Sequence, residues 1–233
     1  MTDTDTIPEI PTAYTLVEPC RSRATRMISK RSPYSFRGEF TFYRGKSIQR
    51  VRFESLLEYR VFLCLIYTPG FVDLEEQIAR IPYRATDGRT RFHTFDGRLT
   101  VTGGIRTAID VKPWSKANKP SYRAKMRAIC QAALPLTAER IRTVTERNLD
   151  PVVVANAQTF HAARHPQMEI DGILLDAANR LNESQTIAEF LRYTGLGGDG
   201  YFGVARLIHR HRLQIPANTR IAPTCPVRKG RAA

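Results

Sequence analysis

Apolar residues recur at three- and four-residue steps through FESLLEYRVFLCLIY, residues 53–67. Leu57, Val61 and Leu65, joined by Phe53, Leu56 and Phe62, form the buried stripe of an amphipathic helix. Glu54 and Glu58 fall one turn apart on another face, and Thr68-Pro69-Gly70 ends the pattern. Upstream, EFTFYRG alternates, so Phe40 and Phe42 share one face of a short strand. Downstream, residues 78–84 and 89–96 flank Thr86-Asp87-Gly88, a hairpin signal. RLTV, a Gly103-Gly104 turn and IRTAIDVKP follow as further strands. After Pro120, Tyr122, Met126, Ile129, Cys130, Ala133 and Leu134 share a helical stripe, with Arg123, Lys125 and Arg127 outside it. IRTVTE then reads as one more strand. Helix, strands, helix, strand is the order of an α/β domain.

The last third changes character. Ile170, Ile173, Leu174, Ala177 and Leu181 have helical spacing. Thr186 and Glu189 make a capping-box start for TIAEFLRY, and Gly195 stops it. GLGGDG leads into a third helix, YFGVARLIHRHRL. Three short helices with a tight turn before the last, then an extended tail, resemble a winged helix-turn-helix. GLGGDG lacks the GK[ST] of a phosphate-binding loop and follows no strand, which excludes a nucleotide site of that kind. The expected division is a flexible basic arm over 1–35, an α/β domain over 36–163, a small all-α winged-helix-like domain over 164–222, and a basic tail over 223–233.

Charge narrows the partners. A net charge of +14 over 233 residues makes a polyanion the first to consider. The longest apolar run, Val61–Tyr67, is too short to span a bilayer. The polar, acidic opening MTDTDTIPEIPT is unlike a signal peptide, so a cytoplasmic protein that meets DNA and no membrane is expected. From Arg21 to Arg52 the chain carries Arg21, Arg23, Arg26, Lys30, Arg31, Arg37, Arg44, Lys46, Arg50 and Arg52 against Glu39 alone, with aromatics interleaved. Arg21, Arg23, Arg26, Lys30 and Arg31 of the arm, with Lys116, Lys119 and Arg123 beyond Pro113, are the candidate phosphate contacts. Cys20, Cys64, Cys130 and Cys225 show no CxxC spacing, which excludes a zinc-finger pattern and argues against a disulfide framework. His209 and His211 fit a basic surface with Arg206, Arg210 and Arg212 better than a metal site.

Candidate chemistry lies in Glu58, Asp96, Asp110 and Lys112. In IDVKP, Asp110 and Lys112 point the same way while Val111 points to the core. Asp96 ends a neighbouring strand, and Glu58 sits on the helix before the hairpin. Three carboxylates brought together repel one another unless a cation such as Mg²⁺ neutralises them. A lysine beside them suits the charge that develops on a scissile phosphate. Against this, Asp96-Gly97 is also a turn dipeptide, and Asp110 beside Lys112 also suits a solvated strand edge.

Through these residues the chain resembles TnsA-type transposon endonucleases of the PD-(D/E)xK, restriction-endonuclease-like superfamily. The resemblance runs from about Ser55 to the C-terminal helices. S-x-x-E appears as Ser55 and Glu58, the hairpin acid as Asp96, and the (D/E)-V-K-P signature as Asp110-Val111-Lys112-Pro113. VDLEEQ, ending at Gln77, is similar to the segment leading into the family's first strand, and VTER at 144–147 to the strand after its second helix. Phe95, Gly97 and Ile78 depart from the pattern, which has proline, an apolar residue and proline there. The resemblance implies a mixed sheet flanked by helices. It also implies Mg²⁺ (or Mn²⁺ in its place) held by Glu58, Asp96, Asp110 and the Val111 carbonyl, with Lys112 catalytic. Double-stranded DNA would be cut on one strand at transposon ends, beside a recombinase-type subunit and an AAA+ regulator. A phage or restriction nuclease acting alone, or a non-catalytic DNA-binding or assembly protein, remain the alternatives.

Overall fold

The computed structural model describes residues 18–25, 36–45, 47–78 and 80–230. A hairpin opens the fold, β1 (Gly38–Arg44) against β2 (Ser47–Phe53). The second strand hides inside the basic stretch. In SIQRVRF, Gln49, Val51 and Phe53 turn inward while the arginines alternate outward, so charge on one face conceals a strand on the other. Helix α1 (Leu56–Ile66) therefore starts three residues later than the periodicity suggests, with Ser55 as its N-cap. Phe53 and Glu54 precede it, and Leu56 is exposed.

The central sheet takes β3 (Phe71–Glu76), β6 (Gly97–Val101), β7 (Arg106–Val111) and β8 (Arg140–Val144), in the order β3-β6-β7-β8. Its first two pairings are antiparallel and β7–β8 is parallel, which makes the sheet mixed. The expected hairpin, β4 (Ile81–Arg84) with β5 (Thr90–His93), pairs separately around Asp87-Gly88. The β7–β8 crossover runs through α2 (Trp114–Ala117) and α3 (Pro120–Ala133). Ile109 and Val111 share a core cluster with α1 and the β1–β2 hairpin, whereas Ala108 packs with Phe95, Met126 and Ile129 on the α3 side. With helices on both faces, β7 is buried from Ala108 to Val111. The chain is thus a mixed α/β fold.

A 3₁₀ turn, Glu146–Asn148, leads to α4 (Pro151–Ala162). This helix escapes the sequence pattern because Val152-Val153-Val154 favours strands. Asp150 overrides that preference by capping the Val152 N–H at 2.7 Å, with Pro151 in the first turn. Next come α5 (Met168–Asn179), β9 (Gln185–Thr186), α6 (Ile187–Tyr193) with its Thr186–Glu189 capping box, the 3₁₀ turn Gly197–Gly200, and α7 (Tyr201–His209). Strands β10 (Leu213–Gln214) and β11 (Pro226–Lys229) complete a three-stranded antiparallel sheet, β10-β11-β9.

Two expectations are corrected here. The C-terminal part is not all-α, and residues 223–230 are not a tail: β11 is the middle strand, with Cys225 and Val227 buried in the core. Hydrogen bonds cross the expected boundary at 164. The Asn156 side chain on α4 receives the Ile221 N–H at 2.8 Å and donates to the Thr219 carbonyl at 2.9 Å.

Candidate functional site

At the end of β7, Asp110 points toward the α3 face, since Ile109 and Val111 occupy the opposite one. It is wholly buried. The Tyr122 hydroxyl, on α3, donates to its Oδ2 at 2.6 Å and lies 2.9 Å from the Thr143 hydroxyl on β8. His93, the last residue of β5, brings Nε2 within 3.1 Å of Oδ1 without forming a hydrogen bond to it. Burial pushes the Asp110 carboxyl up, but His93, Lys112 and Tyr122 outweigh it and hold it below its ordinary range.

Asp96 is buried too, and it does not end a strand: β5 stops at His93 and Asp96 stands immediately before β6. Its Oδ2 accepts the Val111 N–H at 2.6 Å, which ties the start of β6 to the end of β7. Phe95 anchors the approach, fully buried and edge-on to His93 with ring centres 4.7 Å apart. Gly97 serves close packing here. A Cβ there would meet the Phe62 ring of α1 at 2.9 Å and the Glu75 carbonyl at 3.3 Å. The exposed-turn reading of Asp96-Gly97 and the solvated-edge reading of Asp110 both fail.

Lys112 joins the two acids, with Nζ 3.6 Å from Asp96 Oδ2 and 3.9 Å from Asp110 Oδ2. Burial works against its charge, but Asp96, Asp110 and Glu58 together keep its pKa above the ordinary lysine value. One ammonium does not balance three carboxylates. Asp96 is pushed up to about 7, first by burial, with Asp110 and Glu58 adding to it against Lys112.

Glu58 takes part from a distance. It lies on α1, across the sheet from the face that Asp110 points to. Its Oε2 accepts the Glu54 N–H at 2.8 Å, and the Ser55 hydroxyl lies 3.2 Å from Oε1. Ser55 in return accepts the Glu58 N–H at 3.1 Å, so S-x-x-E here is also a reciprocal helix cap. Burial raises its pKa, opposed by those same bonds.

By donor chemistry and excess negative charge, Asp96 and Asp110 fit a hard divalent cation. Among the described residues, however, no group of three or more His, Cys, Asp or Glu side chains is arranged to hold a metal ion. The cluster as it stands is a lysine-bridged carboxylate pair with Glu58 nearby.

The candidate phosphate contacts divide. Lys116, Lys119 and Arg123 are exposed beyond Pro113, and Arg147 lies over the Trp114 ring at 4.3 Å. A cleft of about 580 Å³ opens beside them, reached by Trp114, Tyr122, Arg123 and Arg127. The arm is a different matter. Arg21 is exposed, but Arg23 grips the buried Asp73 carboxylate with bonds of 2.8 and 2.6 Å and the Leu74 carbonyl at 2.8 Å. Ser22 bonds Glu76, and Thr25 bonds the Gln77 carbonyl at 2.7 Å. Arg44 also reaches Asp73, and Arg50 and Arg52 both pair with Glu39. Residues 18–25 are therefore pinned along β3, and Arg23 is corrected from phosphate contact to anchor. Arg26, Lys30, Arg31 and Lys46 lie outside the described residues.

Another correction concerns α7, where Arg206 is buried instead of forming part of a basic surface. It bonds Asp171 at 2.5 and 2.8 Å and the Ala163 carbonyl at 3.1 Å. Gly203 to Ile208 are all buried, so this helix has no open face through its middle to enter a DNA groove. His93 and the hydroxyl role of Tyr122 are the site features that the sequence did not disclose. Both strand and helix signals were visible, but neither says what a side chain meets across the fold.

Among the described residues no helix is long and apolar enough to cross a membrane. A scan against protein-family models finds no match to this chain, and a search of curated proteins finds none either.

Proposed function

We propose that this protein is a metal-dependent DNA endonuclease with a restriction-endonuclease-like core, similar to TnsA-type transposon nucleases. The observation that carries the reading is the meeting of Asp96, Asp110 and Lys112 within 4 Å at one end of a mixed sheet. Asp96 and Asp110, with the Val111 carbonyl, are the groups to hold Mg²⁺, and Glu58 adds negative charge behind them. Bound there, Mg²⁺ supplies charge neutralisation and a water of lowered pKa. Lys112 stays protonated and presents its ammonium to the scissile phosphate, where negative charge develops. Tyr122 holds Asp110 in one orientation, and Asp96 locks the ends of β6 and β7 together. Lys116, Lys119, Arg123 and Arg147 form a basic rim that follows a DNA backbone past the site.

The C-terminal order of helix, short strand, two helices and two strands supports a winged-helix module. With α7 covered, that module contacts partners by its outer faces. In this reading a recombinase-type subunit cuts the second strand, and an AAA+ regulator engages the assembly.

A second reading, a non-catalytic DNA-binding or assembly protein, is favoured by one observation. The Tyr122 hydroxyl already bonds Oδ2 of Asp110, and His93 Nε2 stands 3.1 Å from its Oδ1. Incubating supercoiled DNA with the protein and Mg²⁺ or Mn²⁺, alone and with the products of neighbouring genes, separates the two. The nuclease reading expects nicking that Asp110→Asn abolishes while DNA affinity stays near wild type. DNA binding without cutting under every condition leaves the binding module.

A further inference from the structure

A cleft of about 930 Å³ lies at the other end of the sheet. It is lined by the end of α1 from Ile66 and by Phe71, which pairs with Val101, whereas Asp96 and Asp110 lie beside the Gly97–Ile109 pairing. Along α1 alone, Glu58 and Ile66 are about 12 Å apart at 1.5 Å per residue. This cleft is separate from the carboxylate site.

Its chemistry is one-sided. Among the described residues Arg164, Arg206, His209, Arg210 and His211 line it, and no aspartate or glutamate does. Arg206 is spent on Asp171, so the cations left for a ligand are Arg164 and Arg210. Arg164 donates to the His161 carbonyl at 2.8 Å, yet its buried Nε has no hydrogen-bond partner. Arg210 is exposed. The same cleft holds a cluster of aromatic rings. The His209 ring lies 5.2 Å from both Phe160 and Tyr67, and these two rings are 5.7 Å apart. Burial, reinforced by the charges of His211 and Arg210, lowers the His209 pKa and leaves a neutral ring suited to stacking.

Two guanidinium groups and neutral rings lining one cleft match a ligand with a phosphate at one end and an aromatic ring at the other. We propose that this cleft binds a nucleoside phosphate, with the phosphate on Arg164 and Arg210 and the base against His209. The same chemistry could come from a free nucleotide or from an unpaired nucleotide of a DNA strand. An acidic peptide shares the charge but has no use for the rings.

The test is calorimetric titration of the full chain with dAMP, inorganic phosphate, a ten-residue oligo-dA strand and a poly-glutamate peptide. The expected result is dAMP binding about tenfold tighter than phosphate, the contribution of one stacked base. His209→Ala should erase that advantage without weakening phosphate. Arg164→Gln and Arg210→Gln should each weaken dAMP and phosphate alike, roughly tenfold or more by loss of a charge-assisted contact. Arg210 is exposed, so its variant keeps the inference testable if Arg164→Gln fails to fold. A strand that binds tighter than dAMP, and loses that affinity in the same variants, identifies DNA as the source; the reverse order identifies free nucleotide. Equal affinity for dAMP and phosphate overturns the inference. So does binding that survives the Arg210 and His209 variants, or poly-glutamate binding where dAMP does not.

Discussion

Replacing Asp96 with Asn should make the protein more stable at pH 8. Asp96 is 8% exposed and titrates near 7 instead of 3.8, because burial and the nearby Asp110 and Glu58 charges disfavour its ionised form more than Lys112 favours it. The sign follows from proton linkage. Between pH 3.8 and about 7 the folded carboxyl keeps a proton that the unfolded one has lost, so stability falls as pH rises through that window and levels off above it. At about 1.4 kcal/mol per pH interval, the ionised native carboxylate costs at most about 4 kcal/mol at pH 8. Asparagine has nearly the same shape, retains an oxygen to accept the Val111 N–H, and carries no charge. Urea unfolding of both proteins in EDTA, from pH 4 to pH 8, reads the difference. The two should be nearly equal at pH 4 and should separate with rising pH, the variant being more stable by about 2–4 kcal/mol at pH 8. Parallel curves, or a variant less stable at pH 8, would refute the claim that the carboxylates at this site repel one another.

Other outcomes follow from the same contacts. Lys112→Ala should lower the nicking rate by on the order of 10²–10³ while duplex affinity changes little, measured by single-turnover cleavage and filter binding. Arg23→Ala should cost about 1–3 kcal/mol, since it strips the buried Asp73 of its bidentate partner, and should leave the salt dependence of DNA binding unchanged. Asp171→Ala should cost about 3–5 kcal/mol in thermal or urea unfolding by leaving the Arg206 guanidinium buried and unpaired. Gly97→Ala should destabilise by about 1–3 kcal/mol, because its methyl group has no room between Phe62 and the Glu75 carbonyl.

Periodicity and turn chemistry sufficed for much of the molecule. Helices α1, α3, α5 and α6, the β4–β5 hairpin and strands β6 to β8 all follow from local spacing, caps and glycines, which act within a few residues. The same local rules placed Asp110 and Lys112 on one strand face. They missed β2, whose arginines masked an alternating apolar face, and α4, whose valines favour strands until Asp150 and Pro151 start a helix. Tertiary structure alone decided the rest. Asp96 reaches Val111 and Lys112 because β6 and β7 are antiparallel neighbours, and Tyr122 reaches Asp110 because α3 covers that face of the sheet. Arg23 and Arg206 looked like free cations, because a sequence counts charges without showing which carboxylate each will meet. Pairings across the fold depend on which faces are buried together, and burial is a property of the packed chain that no single segment carries.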